Sequence, residues 1–348
     1  MVAALLGEIE LRKHYLDKES IETIYLGGGT PSLLNIHDME PLVQKIFSTF
    51  SVAPAVEITI EANPDDITEA KVQEWKAAGV NRLSVGVQSF FEEDLLWMNR
   101  AHSAEEALRN LEVAIKHFDN VTIDLIYGIP SLTNEKWKGN VDTSIALGIP
   151  HLSCYALTVE PKTPLDKMIR THEAPNVNPD HQSEQFVLLM RWMNKAGYEH
   201  YEISNFAKPG FRSRHNSSYW QGQKYIGIGP SAHSFDTISR QWNVSNNHIY
   251  IESIKKGNIP CEKEILTPVQ KLNEYIMTSL RTIEGLNLAR VSPEALIDEL
   301  ELASSKFIER GLMVEEDNHL RLSQKGKLVA DGIAAELFFD REITQIVD

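Results

Sequence analysis

The glycine-rich segment 27–30, GGGT, is the first part of the sequence whose residue types could bind a ligand. It follows the apolar, β-type run 23–26. Glycine has no Cβ, so main-chain N–H and C=O groups can approach a ligand closely. Ligands of α/β folds bind at the carboxyl ends of the strands. The segment therefore indicates an edge suited to the ammonium and carboxylate groups of an amino acid, although a glycine-rich turn without a ligand has the same composition.

Polar side chains also stand in or near the ends of the next three β-type runs: Glu61, Gln88 and Asp124. A further candidate, Arg100, lies in the segment 99–102, between two of these runs. Carboxylate and amide groups suit amine and ribose hydroxyl groups, and Arg100 could hold a carboxylate as a bidentate pair. Taken alone, each has an ordinary structural interpretation: a helix cap for Glu61, a surface charge for Arg100 and a turn former for Asp124. Their convergence at one mouth of a parallel sheet is what indicates a ligand site.

The segment 198–235 is dense in aromatic, glycine and histidine residues. Imidazole ligates haem iron, aromatic rings stack on a macrocycle, and arginine pairs with propionates. The candidates for these roles are His200, His215, His233, Tyr219, Trp220, Arg212 and Arg214. An aromatic-rich packed region with hydrogen-bonded histidines has the same composition, and the residue types alone favour that structural interpretation.

Apolar β-type runs alternate with amphipathic stretches, which predicts β/α units around a parallel sheet. The runs are 23–26, 56–60, 82–87, 121–126 and 151–157, and the helical stretches include 38–50, 68–78 and 103–117. Thr68 is a helix start signal, and Ser103 with Glu106 forms a capping box. Residues 2–16 predict a further amphipathic helix, with Glu8 and Arg12 largely off its apolar face. A regular pattern would place one more strand before that helix, and an eight-fold barrel is not supported.

From about residue 160 the alternation of apolar and amphipathic stretches stops, and a long polar connection follows as far as residue 182. A helix is predicted over 183–196 and ends at Gly197, as expected of a C-cap glycine. The tail predicts helices over 269–281, 293–300 and 303–310, followed by a small hairpin, a pattern that resembles a winged-helix module. Because this tail is acidic, we expect a packing or lid role for it and not DNA binding.

Composition limits the class of protein. The chain has 348 residues, 42% of them hydrophobic, and a net charge of −15, which argues against binding to nucleic-acid phosphates. Its two cysteines, Cys154 and Cys261, exclude a disulfide framework and an all-cysteine cluster built within one chain. No run approaches the roughly 18 apolar residues of a membrane helix, and no signal peptide begins the chain. We therefore expect a cytoplasmic protein without an integral membrane segment.

Several motifs together resemble a known family. IYLGGGTPSLL, ITIEANPDDIT, RLSVGVQSF, MNRAHS, IDLIYGIP and SCYALTVEPKTPL, in this order, resemble the radical S-adenosylmethionine proteins of the oxygen-independent coproporphyrinogen III oxidase (HemN) family. RHNSSYW, followed by YIGIGPSAHSF, resembles the HNxxYW signature of the haem-chaperone branch, HemW. The resemblance covers essentially the whole chain.

The resemblance implies a fold, ligands and site residues. The fold would be a partial (β/α)6 barrel, here without its first strand, with a mostly helical C-terminal domain. Gly28, Gly29 and Thr30 would contact the methionyl part of S-adenosylmethionine, Glu61, Gln88, Arg100 and Asp124 would hold the rest, and Ala156 would lie against the adenine. His215, with Tyr219 and Trp220, would bind haem, and haemoproteins are the expected clients. The implied domains are 1–160, the partial barrel; 161–265, its completion with the HNxxYW region; and 266–348, the HemN-type C-terminal domain.

One departure from the family pattern bears on activity. The family holds a [4Fe–4S] cluster with a CxxxCxxC motif after the first barrel strand, and this sequence has no such motif. The sequence is therefore either an N-terminally truncated form or a degenerate relative. Because the residues of the cofactor pocket are intact, we expect truncation, and we expect the chain as given to be inactive as a radical enzyme. The alternatives are a coproporphyrinogen III oxidase, which converts propionates to vinyls and needs the cluster cysteines, and an unrelated barrel lyase with Glu61 and Asp124 as acid and base.

Overall fold

The structure, a computed structural model, describes residues 1–341. The strands of its largest sheet are β1 (Ile21–Leu26), β2 (Val52–Ala62), β3 (Arg82–Gln88), β4 (Val121–Tyr127), β5 (His151–Ala156), β6 (Glu199–Glu202) and β7 (Asn205–Ala207). Their order is β1-β2-β3-β4-β5-β7-β6. β2 to β5 pair in parallel, and β7 pairs antiparallel with both β5 and β6.

A helix precedes β1, and helices follow each of the first five strands. They are α1 (Val2–Leu11), α2 (Ile36–Thr49), α3 (Glu69–Ala77), α4 (Glu92–Trp97), α5 (Ala104–His117), α6 (Asn134–Ala146), α7 (Pro164–Arg170) and α8 (Pro179–Lys195). All five predicted strands are present with ends shifted by a few residues. The predicted alternation of β/α units around a parallel sheet is confirmed.

Local capping explains where several helices begin. Ser103 and Glu106 form both hydrogen bonds of the predicted capping box at α5, and the Thr68 hydroxyl accepts the N–H of Lys71 at α3. α8 begins four residues before its predicted start. Asn178 accepts two N–H groups there and Pro179 occupies the first turn, so the end of the predicted polar connection is helical.

The first helix differs from its prediction in length and in packing. It ends at Leu11, and turns follow it. Glu8 and Arg12 were expected off the packed face, but both are buried and form an ion pair of 2.7 Å. Glu8 also accepts the N–H of Gly229 and the hydroxyl of Tyr250, at 2.8 and 2.5 Å. The burial of these charges is compensated by this network, which a helical periodicity cannot reveal.

The chain forms two compact units. The first consists of Met1–Ile24, Leu34–Ile58 and the described residues from Arg214 onward; the second consists of Tyr25–Leu33 and Thr59–Ser213. The core of the second unit lies between strands and helices, where Leu83, Ile123 and Leu152 of the sheet and Trp75 and Trp137 of the helices are almost completely buried.

The first unit also contains the elements after residue 213. They are α9 (Arg214–Trp220), β8 (His233–Phe235), β9 (Ser239–Asn243), α10 (Asn247–Lys255), β10 (Cys261–Ile265), α11 (Pro268–Leu280), β11 (Leu286–Asn287), α12 (Glu294–Glu309), β12 (Met313–Glu316), β13 (His319–Leu322) and α13 (Ala330–Glu336). The first three of these strands form the sheet β10-β9-β8, and the last three form the sheet β11-β13-β12.

The C-terminal region is helical with a small hairpin, as predicted, except in one helix. The two helices expected over 293–300 and 303–310 are a single helix, α12. Ser304 and Ser305 lie inside it and donate their hydroxyls to the carbonyls of Glu301 and Leu302, so these polar residues need no break in the helix. Residues 342–348 of the expected domain 266–348 lie outside the described part of the chain. In the described part, no helix combines the length and apolar character needed to cross a membrane.

Candidate functional site

The candidate residues form two groups, one in each compact unit. In the second unit, the GGGT segment leaves β1 as an open turn. Gly28 and Gly29 have φ angles of +76° and +68°, and a Cβ built at either would meet nothing within 4 Å. Thr30 follows and accepts the N–H of Leu33 at 3.1 Å. The backbone therefore adopts a conformation that favours glycine beside a space that could accept a ligand.

Glu61, at the end of β2, holds this turn in place. One carboxylate oxygen accepts the N–H of Gly28 at 3.1 Å, and the other accepts the Tyr25 hydroxyl at 2.8 Å. Burial, and then the Glu61 charge, raise the pKa of Tyr25 above its usual range, so Tyr25 remains a donor. A Cβ on Gly27 would lie 2.6 Å from the Tyr25 ring, so glycine is required there as well. Glu61 is a strand residue that orients the turn; it does not cap a helix.

Gln88 and Arg100 lie together around Gly86 of β3. Arg100 donates to the Asn63 side chain at 3.2 Å and to the Gly86 carbonyl at 3.3 Å. A Cβ on Gly86 would approach the Gln88 amide nitrogen to 2.9 Å. Gln88 has a φ of +68°, and the pairing of β3 with β4 shifts register at this point. Arg100 is therefore a half-buried, oriented cation and not a simple surface charge.

A buried polar network, which we did not anticipate from the sequence, supports the Gln88 backbone. The Ser89 hydroxyl donates to Asp94 at 2.8 Å, and the Asn140 side chain accepts the N–H of Phe90 at 2.6 Å. His102 contacts the Val87 carbonyl through Nε2 at 3.1 Å. These contacts fix the backbone on both sides of Gln88. The sequence signal that could have revealed them is Ser89, a small polar residue directly after β3.

Asp124 lies within β4, next to Ser153 of β5 in the strand register. Burial raises the pKa of Asp124 to about 7, and the nearby Glu61 charge acts in the same direction, while a hydrogen bond with Ser153 opposes both. Asp124 is therefore a half-buried strand carboxyl and not a turn former. Ala156 ends β5 and pairs with Tyr127. In this unit the structure brings Glu61 to the glycine turn, Gln88 to Arg100, and Asp124 within electrostatic range of Glu61.

The second group is in the first unit, where RHNSSYW forms the two-turn helix α9. His215 is half-buried, and its Nδ1 lies 2.9 Å from the Thr23 hydroxyl of β1. The His215 ring meets the Tyr219 ring edge to face at 5.1 Å between centroids. Burial lowers the pKa of His215 to about 4. The imidazole is therefore neutral at neutral pH, which is the form that ligates metals.

Glu57 anchors the first turn of α9. Its two carboxylate oxygens accept the N–H groups of Arg214, at 3.3 Å, and of His215, at 3.0 Å. The Arg214 guanidinium donates to the Ala55 carbonyl at 2.6 Å and to the Glu22 carboxylate at 2.8 Å. Arg214 thus fastens the helix to β1 and β2, which makes it a poor choice for the propionate partner considered above.

Tyr219 and Trp220 extend the aromatic surface of α9. The Tyr219 side chain is 40% exposed, and its ring contacts Tyr225 at 4.7 Å between centroids. Trp220 packs under the guanidinium of Arg281, which lies 5.0 Å from the indole centroid. The Trp220 Nε1 is shielded from solvent and has no hydrogen-bond partner among the described residues.

The remaining candidates of the 198–235 segment have other environments. His200 stacks on Phe206 at 4.2 Å between centroids, and its Nε2 lies 2.9 Å from the Ile203 carbonyl, so it has a packing role. His233 is exposed and lies beside Trp242, at 6.4 Å between ring centroids. Arg212 pairs with Glu199 at 2.7 Å. Of the three histidines, His215 is the one on the signature helix, and it has the hydrogen-bonded, neutral ring expected of a metal ligand.

The residues present do not fit an iron–sulfur cluster. Cys154 is 1% exposed, and burial raises the pKa of its thiol, which disfavours the thiolate that ligates iron. Cys261 is half-buried, with its Sγ 3.8 Å from the Gln241 side-chain oxygen. Within the described residues, no group of three or more His, Cys, Asp or Glu side chains is arranged to hold a metal ion.

Comparisons with known proteins agree with the motifs. Residues 6–143 match the radical SAM superfamily, and residues 266–329 match the HemN C-terminal domain. A heme chaperone HemW from Mycobacterium tuberculosis is 33% identical over 96% of this chain and 85% of its own. HemW from Bacillus subtilis is 32% identical over 90% and 84%. The structure of the Escherichia coli coproporphyrinogen III oxidase HemN, a radical SAM enzyme, is similar with a TM-score of 0.79 and 21% identity, over 97% of this chain and 82% of that one.

Proposed function

Because the chain belongs to the HemW branch of the radical SAM proteins, we propose that it is a haem-binding protein of haem trafficking that also binds S-adenosylmethionine. The observation that carries the haem half is His215 in the HNxxYW helix. Its ring is neutral at neutral pH and oriented by the Thr23 hydroxyl. Haemoproteins are the proposed clients, and the two free thiols suit a cytoplasmic location.

His215 is the proposed haem ligand, and its neighbours support this role. A neutral imidazole nitrogen is a ligand that haem iron accepts. Tyr219 and Trp220 supply aromatic surface on the same helix, and Tyr219 is 40% exposed. Aromatic side chains contribute large apolar contact area to a planar ligand. Glu57 keeps this short helix anchored at its first turn, so the histidine is held on a supported element.

The proposed S-adenosylmethionine site is the glycine turn with the residues around it. The open space at Gly28 and Gly29 fits close approach of an amino acid group to the backbone. We assign Gly28, Gly29 and Thr30 to the methionyl part of the ligand and Ala156 to the adenine. The polar residues Glu61, Gln88, Arg100 and Asp124 are assigned to its amine, carboxylate and ribose hydroxyl groups.

No radical step is proposed for this chain. With two cysteines in 348 residues, the chain cannot supply the three thiolates of the family's cluster motif. Coproporphyrinogen oxidation would need that cluster, so it is not the function that these residues support. We retain the division into a partial barrel (1–160), its completion (161–265) and a HemN-type C-terminal domain as part of the proposal.

A haemin titration followed at the Soret band tests the haem half. We expect the wild-type chain to give a saturable, near-stoichiometric band and His215→Ala to lose it. His233→Ala is the matched control, because it removes an exposed histidine of the same segment, and we expect it to titrate like the wild type. Equal titration of His215→Ala and the wild type would refute the assignment of His215.

A pair of glycine variants tests the S-adenosylmethionine half. Gly28→Ala and Gly148→Ala each place a Cβ at positive φ, +76° and +71°, with nothing within 4 Å of it. Both should therefore carry a similar strain, about 1 kcal/mol in the free energy of unfolding. We expect only Gly28→Ala to weaken S-adenosylmethionine binding in calorimetry. An equal affinity in the two variants would place the ligand elsewhere.

A further inference from the structure

Gln88 has a backbone conformation that its surroundings must impose. Its φ angle of +68° lies in the left-handed region, which is unfavourable for a residue with a Cβ. Glycine would adopt the same angle without strain. The pairing of β3 with β4 also shifts register between Val85 and Gln88. Strain of this kind persists only where neighbouring contacts enforce it, and it is common where a protein holds a ligand.

Ser89, the next residue, makes contacts that enforce this conformation. Its hydroxyl donates to Asp94 Oδ2 at 2.8 Å, and it accepts from Asn140 Nδ2 at 3.1 Å and from the N–H of Phe91 at 3.2 Å. A hydroxyl has one proton and two lone pairs, so these three contacts use its full hydrogen-bonding capacity. The turn after Gln88 is therefore held by a hydroxyl group whose direction is fixed from three sides.

Asp94 determines the direction of that hydroxyl group. Its carboxylate accepts the Ser89 proton, which leaves both lone pairs of the hydroxyl for the two N–H donors. Asp94, Ser89 and Asn140 are each 0% exposed. Burial of a carboxylate is costly and raises the pKa of Asp94, while the hydrogen bond from Ser89 acts in the opposite direction. The fold thus places a costly buried acid at the point that orients the turn after Gln88.

The backbone before Gln88 is held as well. The Val87 carbonyl accepts the N–H of Ser89 at 2.9 Å, and His102 Nε2 lies 3.1 Å from the same oxygen. His102 is 3% exposed, and burial lowers the pKa of its ring. Gln88 itself is half-buried, so it is accessible to a ligand while the residues that support it are not.

We propose that Asp94, acting through Ser89, is a positioning residue that holds Gln88 in its left-handed conformation for the binding of S-adenosylmethionine. This inference rests on the S-adenosylmethionine site proposed above and adds to it the support that orients one of the assigned contacts. It predicts that ligand affinity depends on a buried carboxylate that the ligand does not touch.

A double-mutant cycle with Gln88 tests this inference, with S-adenosylmethionine titrated into the full chain in a calorimeter. Asp94→Ala leaves the Ser89 proton without its acceptor, and we expect binding about tenfold weaker than in the wild type. In a Gln88→Ala background the same substitution should cause no further loss, because the side chain that it positions is absent. Asp94→Asn keeps an acceptor for Ser89 and should recover part of the affinity.

Gln88→Gly separates ligand affinity from stability. Glycine adopts a positive φ without strain, so we expect a higher urea midpoint than in Gln88→Ala, where a Cβ keeps the strain. Both variants lack the amide side chain and should bind S-adenosylmethionine equally weakly. A residue with a purely structural role would not combine relief of strain with loss of binding.

Glu93→Gln is the matched control. Glu93 precedes Asp94 on α4, but its side chain is 74% exposed and pairs with Lys136. We expect this variant to bind S-adenosylmethionine like the wild type. Near-UV circular dichroism would verify that each variant is folded, and Ser89→Ala, which removes the hydroxyl itself, takes the place of Asp94→Ala in the cycle if that variant is not.

Three results would overturn the inference. Equal losses from Asp94→Ala in the wild-type and Gln88→Ala backgrounds would mean that Asp94 does not act through Gln88. Unchanged affinity in Asp94→Ala would exclude a positioning role. A wild-type chain that gives no binding heat with S-adenosylmethionine would refute the proposed site itself and this inference with it.

Discussion

At the scale of single residues, the Thr23 hydroxyl decides how His215 presents its ring. The hydroxyl oxygen lies 2.9 Å from Nδ1. If the Nδ1–H donates to that oxygen, the lone pair for iron is on Nε2, as is usual for histidines whose other nitrogen is held by an outer partner. Thr23 is therefore a positioning residue for the proposed ligand.

Two substitutions of Thr23 separate the hydroxyl from side-chain shape. Thr23→Val keeps the branched shape but removes the acceptor, and we expect haemin affinity to fall about tenfold with a shifted Soret maximum, since loss of such outer partners costs 10–100-fold. Thr23→Ser keeps the hydroxyl and should retain the wild-type spectrum. An unaltered spectrum and affinity in Thr23→Val would show that the contact has no part in haem binding.

Also at the scale of single residues, the carboxyl group of Asp124 should make the stability of the folded protein depend on pH. Burial raises the pKa of Asp124 to about 7, above its value of about 3.9 in an unfolded chain. Between these two pH values the folded state binds more protons than the unfolded state, so this group lowers stability as pH rises. Above pH 7 its cost is fully present and constant.

Asp124→Asn removes that titration. We expect the free energy of unfolding of the variant, minus that of the wild type, to increase by about 2 kcal/mol from pH 5 to pH 7. Urea unfolding of the ligand-free proteins measures this difference. The increase should level off above pH 7. Parallel stability profiles for the two proteins across this range would mean that Asp124 is ionised throughout.

At the scale of elements, α9 depends on support from outside itself. A helix of seven residues is too short to be stable alone in water, and Glu57 of β2 accepts two of its first N–H groups. The signature helix α9 is thus held by a carboxylate 158 residues away in the chain. The same helix carries the exposed pair between Arg214 and Glu22, whose carboxylate side chain is 70% exposed.

Glu57→Gln replaces one acceptor oxygen with an NH2 group that faces a backbone N–H. We expect a loss of about 1–2 kcal/mol in the free energy of unfolding and faster amide hydrogen exchange over 214–218. Glu22→Gln changes an exposed partner of the same helix and should cost less than about 1 kcal/mol. If both variants showed the same exchange rates as the wild type, Glu57 would not be the anchor.

At the scale of the whole molecule, the cysteine content leads us to expect that this chain binds haem but does not carry out radical chemistry. After anaerobic reconstitution of the purified chain with iron and sulfide, we expect substoichiometric metal and no 5′-deoxyadenosine from S-adenosylmethionine. The chain should still bind haemin, because the proposed ligand His215 belongs to it. Stoichiometric iron and sulfide would contradict this expectation and would point to ligands other than three thiolates.

The amino-acid sequence alone is enough to predict the β/α order, the five strands, the capped starts of α3 and α5, and the family. These features depend on neighbouring residues: periodicity places a strand or helix, and Ser103 with Glu106 caps α5 wherever the helix packs. The GGGT turn could also be predicted, since three glycines directly after a strand indicate a turn of the backbone.

The contacts between residues that are distant in the sequence could be identified only from the folded structure. Thr23 contacts His215 across 192 residues, Glu57 caps α9, and Arg281 stacks on Trp220. It also buried Glu8 with Arg12, where helical periodicity placed them on the polar face. Such contacts leave no local pattern, because a hydrogen bond between distant segments depends on how the chain folds and not on the residues beside each partner. The orientation of His215 therefore became visible only in the folded molecule.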